Sequence, residues 1–245
     1  MKISICILTW NRPKFLEICV NDLQRKMFYN DDCEIIIMDD GSTGETQKLL
    51  ERLRQNRYIR ILSNRKHKGL KAYKRLFSKA KGEYIIEVDD DVLEFPLHFD
   101  KTMIEYMNSY PDYGFLALDV IQNEFTNGAK PDSSYYTEDI RDDKVIQKGP
   151  TGGWCTCFRR SDYRKIRFRF NFTSFNFKIS EDAILSGLFD KRLKLKSGII
   201  KNYICFHACG PYYAKQYGHL EREIEKYQSS GLTSFVEHYK SFLSK

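Results

Sequence analysis

The segment GEYIIEVDDDVLEF, residues 82–95, runs from an apolar stretch into three consecutive aspartates and then becomes apolar again. Adjacent carboxylates raise one another's pKa and cost stability unless a positive group lies between them. Asp89 and Asp91 project from the same side of an extended strand, about 7 Å apart by the strand rise. Carboxylates placed in this way can share a divalent cation, and Mg²⁺ or Mn²⁺ keeps coordination sites open for substrate phosphates. The segment predicts a metal site at a strand end, with solvated carboxylates as the alternative.

The same pattern of a buried strand followed by polar residues recurs upstream and indicates the fold class. One strand, residues 2–9, ends at WNRP and precedes a helix to about Lys26, and a second, Glu34 to Met38, ends at DDGS before a helix near Glu45. The first half continues with strands at YIRILSN, GEYIIEVDDD and YGFLALDVI and with helices at residues 71–80 and 99–109. Uniformly apolar strands that alternate with helices predict an α/β protein with a mostly parallel sheet covered on both faces.

In such sheets ligands gather at the carboxyl ends of the strands. Thr9, Asp39 and Asp40 should therefore line the same crevice as the three aspartates of residues 89–91. This convergence of polar residues is the strongest functional indication that the residues provide without any family comparison.

The second half has a different character after about Asp119. Residues 122–144 are polar and rich in turn formers, which predicts a long surface loop. A glycine-rich segment, GPTGGWCTC, follows, then a helix from Glu181, a last strand SGIIKNYICFH and a tail, residues 218–245, with helical spacing of its apolar residues.

Composition describes an ordinary globular protein: hydrophobic residues make up 42% and charged residues 30% of the 245. We find neither an apolar run of membrane-spanning length nor a signal peptide, so we expect a cytoplasmic protein. Seven scattered cysteines argue against a disulfide framework and fit a reducing compartment. Residues 52–81 contain a dozen basic residues and no acidic one, which suits a phosphate ligand, anionic lipid or nucleic acid, or a solvated helix face.

Four segments, SICILTWNRPKFLEICVNDL, EIIIMDDGSTGET, KGEYIIEVDDDV and SEDA, resemble the successive signatures of family 2 glycosyltransferases with the GT-A fold. The resemblance covers residues 2–120 well and 149–190 more loosely. It implies a Rossmann-like sheet in which residues 1–119 bind a nucleotide-sugar and residues 120–217 form the acceptor-binding and catalytic half, followed by C-terminal helices. It also implies an inverting, metal-dependent enzyme that uses Mn²⁺ or Mg²⁺ and moves a sugar from a donor, expected to be UDP-linked, to a hydroxyl of a glycan or lipid-linked acceptor.

The resemblance assigns the nucleotide base to the first two strand ends. Thr9 would contact uracil through its backbone, and Asp40, with Asp39 beside it, would accept from the ring N3–H; a carboxylate there favours uracil over cytosine. Taken alone, the two aspartates are equally typical of a turn before a helix. The predicted nucleotide-binding set is completed by Asn11, Arg12, Lys71, Lys74, Asp89 and Asp90. Arg75 is an alternative to the two lysines as the group that faces the diphosphate or base.

Within the acidic segment the resemblance implies unequal roles. Asp91 would bind the cation that bridges the diphosphate, and Asp89 would lie near the ribose and share the metal. Asp90, on the opposite strand face, is the least suited of the three to bind the cation. His207, at the end of the last strand, would complete the metal site, unless it is simply a packed histidine.

The motif SEDA carries the catalytic residues by the same resemblance. Asp182 would act as the base, accepting the proton as the bond to the anomeric carbon forms, a role worth typically 10²- to 10⁴-fold. Glu181 would orient or contact the acceptor. The same residues after Ser180 also form a good helix N-terminus, which is compatible with the catalytic role.

Two further segments have functional and structural interpretations. Gly152 and Gly153 would let the backbone approach an acceptor, and Trp154 would stack on its sugar ring or else belong to the core. In the tail, basic residues among aromatic ones predict either peripheral contact with an anionic membrane, at its inner face, or packing against the catalytic domain. The basic residues of the tail used in this interpretation are Arg222, Lys226, Lys240 and Lys245.

Two alternative functions remain open. A sugar-1-phosphate nucleotidyltransferase would have a similar core, but it normally carries a glycine- and arginine-rich loop after the first strand, and TWNRPKFLE contains no glycine. A non-enzymatic basic module would bind nucleic acid or an anionic membrane through residues 52–81. That alternative leaves the acidic motifs unexplained, and acids repel nucleic acid, so we expect no nucleic-acid partner.

Overall fold

The computed structural model describes residues 1–126, 130–174 and 179–243. Its strands are β1 (Ile3–Thr9), β2 (Cys33–Asp39), β3 (Ile59–Ser63), β4 (Tyr84–Asp89), β5 (Val92–Glu94), β6 (Tyr113–Val120), β7 (Thr137–Arg141), β8 (Lys144–Lys148), β9 (Cys155–Arg159) and β10 (Lys196–His207). Its α-helices are α1 (Pro13–Lys26), α2 (Glu45–Leu53), α3 (Ala72–Lys79), α4 (Phe99–Ser109), α5 (Arg160–Phe172), α6 (Glu181–Leu188), α7 (Pro211–Gln216), α8 (Leu220–Ser229) and α9 (Thr233–Lys240). A π-helical turn, Phe189–Leu193, follows α6.

The strands form one mixed sheet in the order β3-β2-β1-β4-β9-β6-β10-β8-β7, with β5 paired to β10. Strands β3, β2, β1 and β4 are parallel, as are β6 and β10, so the predicted mostly parallel α/β architecture is confirmed. Register aligns Thr9 with Asp39 and Leu8 with Asp89, which brings the polar strand ends to one edge. At the other end, Gly82 lets β4 approach β1, since a Cβ there would lie 2.3 Å from the Ser4 nitrogen.

Strands β7, β8 and β9 and helix α5 differ from the sequence prediction, which has no regular element at these residues. Strand β9 is antiparallel between β4 and β6; its five residues are too short and too mixed in polarity to show a periodic pattern. The predicted surface loop over residues 122–144 is wrong in its last part, because β7 and β8 pair there as an antiparallel hairpin at the sheet edge. Edge strands are often charged and exposed, so this hairpin has the composition of a loop. Residues 127–129 of that segment lie outside the described ranges.

The core has a layer on each face of the sheet. One layer packs α1 and α4 against β1, β2 and β4 and includes Leu16 and Met103, both fully buried. The other packs α3, α5 and α6 against the opposite face through Phe77, Phe158 and Phe170. Among the helices that the described ranges contain, none has the length and apolar character needed to cross a membrane.

The C-terminal helices return to the end of the sheet where β1 and β4 stop. Tyr239 from α9 packs with Leu220 and Ile224 of α8, and this small cluster includes Ala214 of α7. The tail therefore packs against the rest of the chain, next to the strand ends that bear the acidic residues.

Candidate active site

A cleft of about 280 Å³ opens at the carboxyl ends of β1 and β4, between α3, α6 and α8. Most of the residues predicted for the site line it: Thr9, Arg12, Asp40, Asp89, Asp90, Asp91, Glu181, Asp182 and His207. The other predicted residues are not among those that line it: Asn11, Asp39, Lys71, Lys74, Gly152, Gly153 and Trp154. The structure therefore brings Thr9, Asp40 and the three aspartates of residues 89–91 together in one cleft, as expected from their positions at strand ends.

Asp89, Asp91 and His207 form a group that could hold a metal ion. One ligand atom from each residue lies within 4.8 Å of the others. His207 Nε2 is 3.1 Å from Asp91 Oδ1 and 3.7 Å from Asp89 Oδ2. The histidine reaches the aspartates because β10 pairs antiparallel with β5, which begins immediately after Asp91. Carboxylates and imidazole are common ligands of divalent cations in proteins, so the chemistry of the group fits a divalent cation.

The two aspartates of this group differ in their electrostatics. Burial and the adjacent Asp91 carboxylate raise the pKa of Asp89 to about 6. Burial also acts to raise the pKa of Asp91, but Arg12 and His207 outweigh it and hold that pKa well below its ordinary value. Burial acts to lower the pKa of His207, but Asp91 and Cys209 together outweigh it and hold that pKa well above its ordinary value.

Arg12 lies on the other side of the acidic segment and is the positive group that the run of aspartates requires. It follows β1, and its guanidinium donates to Asp91 Oδ2 over 2.8 Å and also to Asp90 Oδ1. Its Nη1 is 3.4 Å from Glu223 Oε1 on α8. Asp90 therefore faces an arginine and not the group that could bind metal, in agreement with its predicted position on the opposite strand face.

Asp182 lies in the first turn of α6 and is half-buried in the cleft. Its Oδ2 accepts from the Gly153 N–H over 2.9 Å, and its Oδ1 accepts from the Ala183 N–H and the Ser180 hydroxyl. Ser180 precedes the helix as predicted, but its hydroxyl donates to the Asp182 carboxylate and does not cap a backbone N–H. These bonds orient the carboxylate at the cleft wall.

Two buried glutamates lie beside Asp182. Burial, together with Glu181, raises the pKa of Glu87 well above its ordinary value; burial, together with Asp182, does the same for Glu181. Gly153 allows this proximity, because a Cβ there would lie 3.2 Å from the Glu87 Cδ. Sequence reasoning missed Glu87; the signal was a charged residue between the apolar residues of a fully buried strand.

Asp40 is buried and holds the loop after β3 in place. Its Oδ2 accepts from the N–H groups of Lys68 and Gly69 over 2.8 and 2.7 Å, and its Oδ1 accepts from Asn64 Nδ2 over 2.7 Å. His67 in this loop stacks on Trp10, with ring centroids 3.9 Å apart, and both rings line the cleft. The Trp10 and His67 pair, which sequence reasoning missed, forms an aromatic wall beside Asp40.

Asp39 and Asn11 have structural partners behind that wall. Asp39 accepts from the Ser42 N–H over 2.8 Å and from Gln47 Nε2 over 2.9 Å, as expected of a residue that closes a turn before a helix. Asn11 has a positive φ of 51° and accepts from the Thr43 N–H over 2.9 Å. The two residues thus fix the loops that carry Arg12 and Asp40.

The basic residues of the cleft are not those predicted from α3. Lys74 donates to the carbonyl oxygens of Asn171 and Thr173, and Lys71 is exposed outside the cleft. The structure does not bring these two lysines to the cleft lining, and their contact with a ligand stays a prediction. Arg222 and Lys226 of α8 line the cleft instead.

Arg222 and Lys226 of α8 also test the predicted membrane contact of the tail. Arg222 Nε donates to the Trp10 carbonyl over 2.9 Å. Its side chain is 15% exposed and that of Lys226 is 13% exposed, so neither is available for the predicted membrane contact of the tail. Lys240 remains exposed, and Lys245 lies outside the described residues.

Trp154 is a core residue, so the prediction that it offers an exposed ring to an acceptor is wrong. It is 3% exposed, and its indole N–H donates to the Leu118 carbonyl over 2.9 Å. Gly152 accommodates it, since a Cβ there would lie 2.6 Å from the indole ring. The glycine pair of residues 152–153 thus serves the packing of Trp154, Glu87 and Asp182.

The fold and the acidic cleft define a class of protein. Residues 4–167 match the model of glycosyl transferase family 2. A mannosyltransferase from Pyrobaculum calidifontis, solved in complex with GDP-Man and Mn²⁺, superposes with a TM-score of 0.65 at 14% identity, covering 91% of this chain and 64% of that one. Staphylococcus aureus TarS 1–349 in complex with UDP-GlcNAc superposes with a TM-score of 0.64 at 17% identity, covering 84% and 58%. The GT-A fold is therefore confirmed.

Curated relatives agree with this class. The glycosyltransferase GlyG of Streptococcus pneumoniae is 30% identical over 137 residues, which are 55% of this chain and 42% of the relative. The abequosyltransferase RfbV of Salmonella typhimurium is 32% identical over 117 residues, 46% of this chain and 34% of the relative. The chain belongs to glycosyl transferase family 2. It spans less than half the length of these two relatives.

Proposed function

We propose that this chain is an inverting, metal-dependent glycosyltransferase that moves a sugar from a UDP-sugar to a hydroxyl of a glycan or lipid-linked acceptor. The observation that carries the proposal is the presence, in one cleft, of the group Asp89, Asp91 and His207 and of the oriented carboxylate of Asp182. Family membership and the GT-A fold support it, as does the UDP-GlcNAc complex of the superposed TarS structure.

The acidic group would bind Mn²⁺ or Mg²⁺. A bound cation would neutralise the negative charge that develops on the departing nucleoside diphosphate. Arg222 and Lys226, which line the same cleft, would add positive charge. Arg12 would keep Asp91 ionised and oriented, since it contacts Oδ2 and leaves Oδ1 toward His207.

Asp182 would act as the base. A sugar hydroxyl is much less acidic than a carboxylic acid, so the carboxylate accepts the proton only as the new glycosidic bond forms. Its hydrogen bonds from Gly153 and Ala183 fix its orientation for this transfer. Glu181, the buried neighbour whose pKa is raised, would orient the acceptor.

The base would bind against the wall formed by Trp10 and His67, next to Asp40, whose Oδ2 is 2.8 Å from His67 Nδ1. Asp40 Oδ1 accepts one bond, from Asn64, and an ionised carboxylate oxygen can accept a second, from an imide N–H. Guanine also carries a ring N–H of this kind, and the superposed mannosyltransferase holds GDP-Man. The choice of UDP over GDP therefore needs a direct comparison.

A donor panel tests the proposal. Thermal unfolding of the full chain is followed with UDP-, GDP- and dTDP-sugars, each with and without Mn²⁺, because a ligand that binds the folded state raises Tm. We expect the largest increase with a UDP-sugar and Mn²⁺ together. Asp91→Ala should abolish this increase, whereas Asp190→Ala, which removes an exposed acid after α6, should preserve it.

Two results would contradict the proposal. Equal stabilisation of Asp91→Ala and the unmodified chain by a UDP-sugar with Mn²⁺ would remove the metal assignment. Release of pyrophosphate from a nucleoside triphosphate and a sugar phosphate would identify a nucleotidyltransferase instead.

A further inference from the structure

Helix α5 has a basic and aromatic outer face that the proposed reaction does not use. Its sequence, RSDYRKIRFRFNF, contains five basic residues and one acid, Asp162, which is buried. Tyr163, Ile166 and Phe170 face the core, whereas Phe168 and Phe172 face outward. A soluble helix normally buries its large apolar residues on one side, and α5 has them on both.

The two outward phenylalanines are the most exposed large apolar side chains in the described part of the chain. Phe168 is 71% exposed and Phe172 is 77% exposed, and their ring centroids are 4.6 Å apart. They stand four residues apart, one helical turn, so they form a single projecting aromatic pair. A contiguous exposed apolar feature on a soluble protein marks an interaction site.

Basic residues surround this pair. Arg164, Arg167 and Arg169 are exposed, and within residues 1–126, 130–174 and 179–243 none of the three forms an ion pair. Lys165, also exposed, bonds the buried Asp162. The adjoining turn after α6 adds Lys191 and Arg192 with a single acid, Asp190. The charge on this face is therefore strongly positive around an apolar centre.

We propose that this face of α5 docks on an anionic lipid bilayer. Arginines that flank phenylalanines are suited to the membrane interface, where rings enter the headgroup boundary and guanidinium groups contact lipid phosphates. A nucleic acid would satisfy the arginines equally well but would leave the projecting rings without an apolar environment. A second copy of the chain would cover the rings but would bring like charges together.

The docking face reaches the cleft side of the molecule at the C-terminal end of α5, whereas Arg164 lies toward the other end of the sheet, near Glu83 and Arg160. Helix α5 starts where Arg159 pairs with Tyr84, at the end of the sheet remote from the cleft, and runs back toward it. Lys74 holds the carbonyls of Asn171 and Thr173 at the end of α5, and the preceding residue, Tyr73, lines the cleft. A bilayer on this face would therefore be next to the wall that bears Asp182, within reach of a lipid-linked acceptor. That consequence rests on the proposed function, whereas bilayer binding does not.

Vesicle flotation of the full chain tests the proposal without any sugar donor. The probes are phosphatidylcholine vesicles with and without phosphatidylglycerol. We expect binding only to the anionic vesicles. Two variants should each weaken binding to the anionic vesicles by about tenfold or more. One is the double variant Phe168→Ser with Phe172→Ser, and the other is the triple variant Arg164→Gln, Arg167→Gln, Arg169→Gln. All five side chains are exposed, so Tm should not fall in either variant.

Matched controls lie on other surfaces. Leu97→Ser with Ile140→Ser removes two apolar side chains that are 61% and 63% exposed, before α4 and on the edge strand β7. Arg52→Gln, Arg54→Gln and Arg57→Gln together remove three exposed arginines in and after α2. Both controls should float with anionic vesicles as the unmodified chain does.

Three results would overturn the proposal. The first is flotation that the α5 variants leave unchanged. The second is loss of RNA or DNA binding in the arginine variant with unchanged flotation, which would identify a nucleic-acid surface. The third is a dimer that the phenylalanine variant converts to a monomer, with no binding to anionic vesicles. A failure to transfer sugar would affect none of these measurements.

Discussion

Arg12 donates a hydrogen bond to Asp91 across a separation of 79 residues, with 2.8 Å between Nη1 and Oδ2. The same guanidinium contacts Asp90, and it lies within 3.4 Å of Glu223. One arginine thus joins the loop after β1, the acidic end of β4 and the C-terminal helix α8. The repulsion between the carboxylates of Asp90 and Asp91 is offset because the guanidinium of Arg12 contacts both of them.

Removal of this arginine should destabilise the fold. Arg12→Ala leaves Asp90, which is 1% exposed, without its ion-pair partner, and an uncompensated buried charge costs about 3 kcal/mol or more. Urea unfolding measures the loss. Mn²⁺ should recover part of the lost stability of Arg12→Ala by neutralising the remaining carboxylates. The free energy of unfolding of Arg12→Lys should lie between those of Arg12→Ala and the unmodified chain. A free energy of unfolding that Arg12→Ala leaves unchanged would show that the ion pair is energetically neutral.

The α8 cations should contribute to diphosphate binding. Arg222→Gln and Lys226→Gln should each weaken UDP binding by about tenfold, because a charge-assisted bond to a phosphate oxygen is lost. Calorimetric titration with UDP and with uridine separates the effects: uridine affinity should change little. Lys240→Gln on α9 is the matched control. Equal loss for uridine and UDP would indicate that α8 supports the base site only.

Asp182→Asn should separate binding from chemistry. UDP affinity should persist, because the substitution leaves Asp89, Asp91 and His207 in place. Transfer should fall by about 10²- to 10⁴-fold, because the amide cannot accept the hydroxyl proton. The measurement is UDP release in the presence of an acceptor, with Asp190→Asn as a control. Normal turnover by Asp182→Asn would exclude this residue as the base.

Trp154 and Trp10 should respond in opposite ways. Trp154→Phe leaves the Leu118 carbonyl without its donor, which costs about 1–3 kcal/mol of stability, and acceptor KM should not change. Trp10→Phe weakens the wall that includes His67, so it should raise donor KM with little effect on stability. If Trp154→Phe raised the acceptor KM selectively, Trp154 would stack on the sugar ring of the acceptor after all.

Acid should loosen the tail through Glu223. Burial acts to raise the pKa of this carboxyl, but Lys226 and Arg222 outweigh it and lower the pKa to about 2 from an ordinary 4.5. Because the folded-state pKa is depressed, the stabilisation is present above about pH 4.5 and is lost as pH falls toward 2. The advantage of the unmodified chain over Glu223→Gln in urea unfolding should therefore shrink between pH 5 and 3. A difference independent of pH would contradict the ion-pair account.

Local sequence patterns were sufficient for much of the fold. Helix α4 was predicted at the residues where it lies, and the strands of the first half were predicted within a residue or two, because their periods and flanking turns are short-range signals. The position of the aspartates at strand ends followed from the same patterns. Strands β7, β8 and β9 and helix α5 were missed. Strands β8 and β9 pair with strands distant in the chain, and β7 and α5 are too polar on their exposed sides for a clear periodic pattern.

The sequence by itself determined an alternating α/β chain whose acidic residues converge at one edge of a sheet. It determined this because strand burial and strand direction are encoded in runs of a few residues. Only the tertiary structure decided which charges meet those acids. Lys71 and Lys74 are nearer in the chain, yet Arg12, Arg222 and Lys226 line the cleft, and Trp154 turns inward to Leu118. Contacts of this kind depend on how elements distant in the chain pack together, and the hydrophobic periodicity of a segment does not predict that packing.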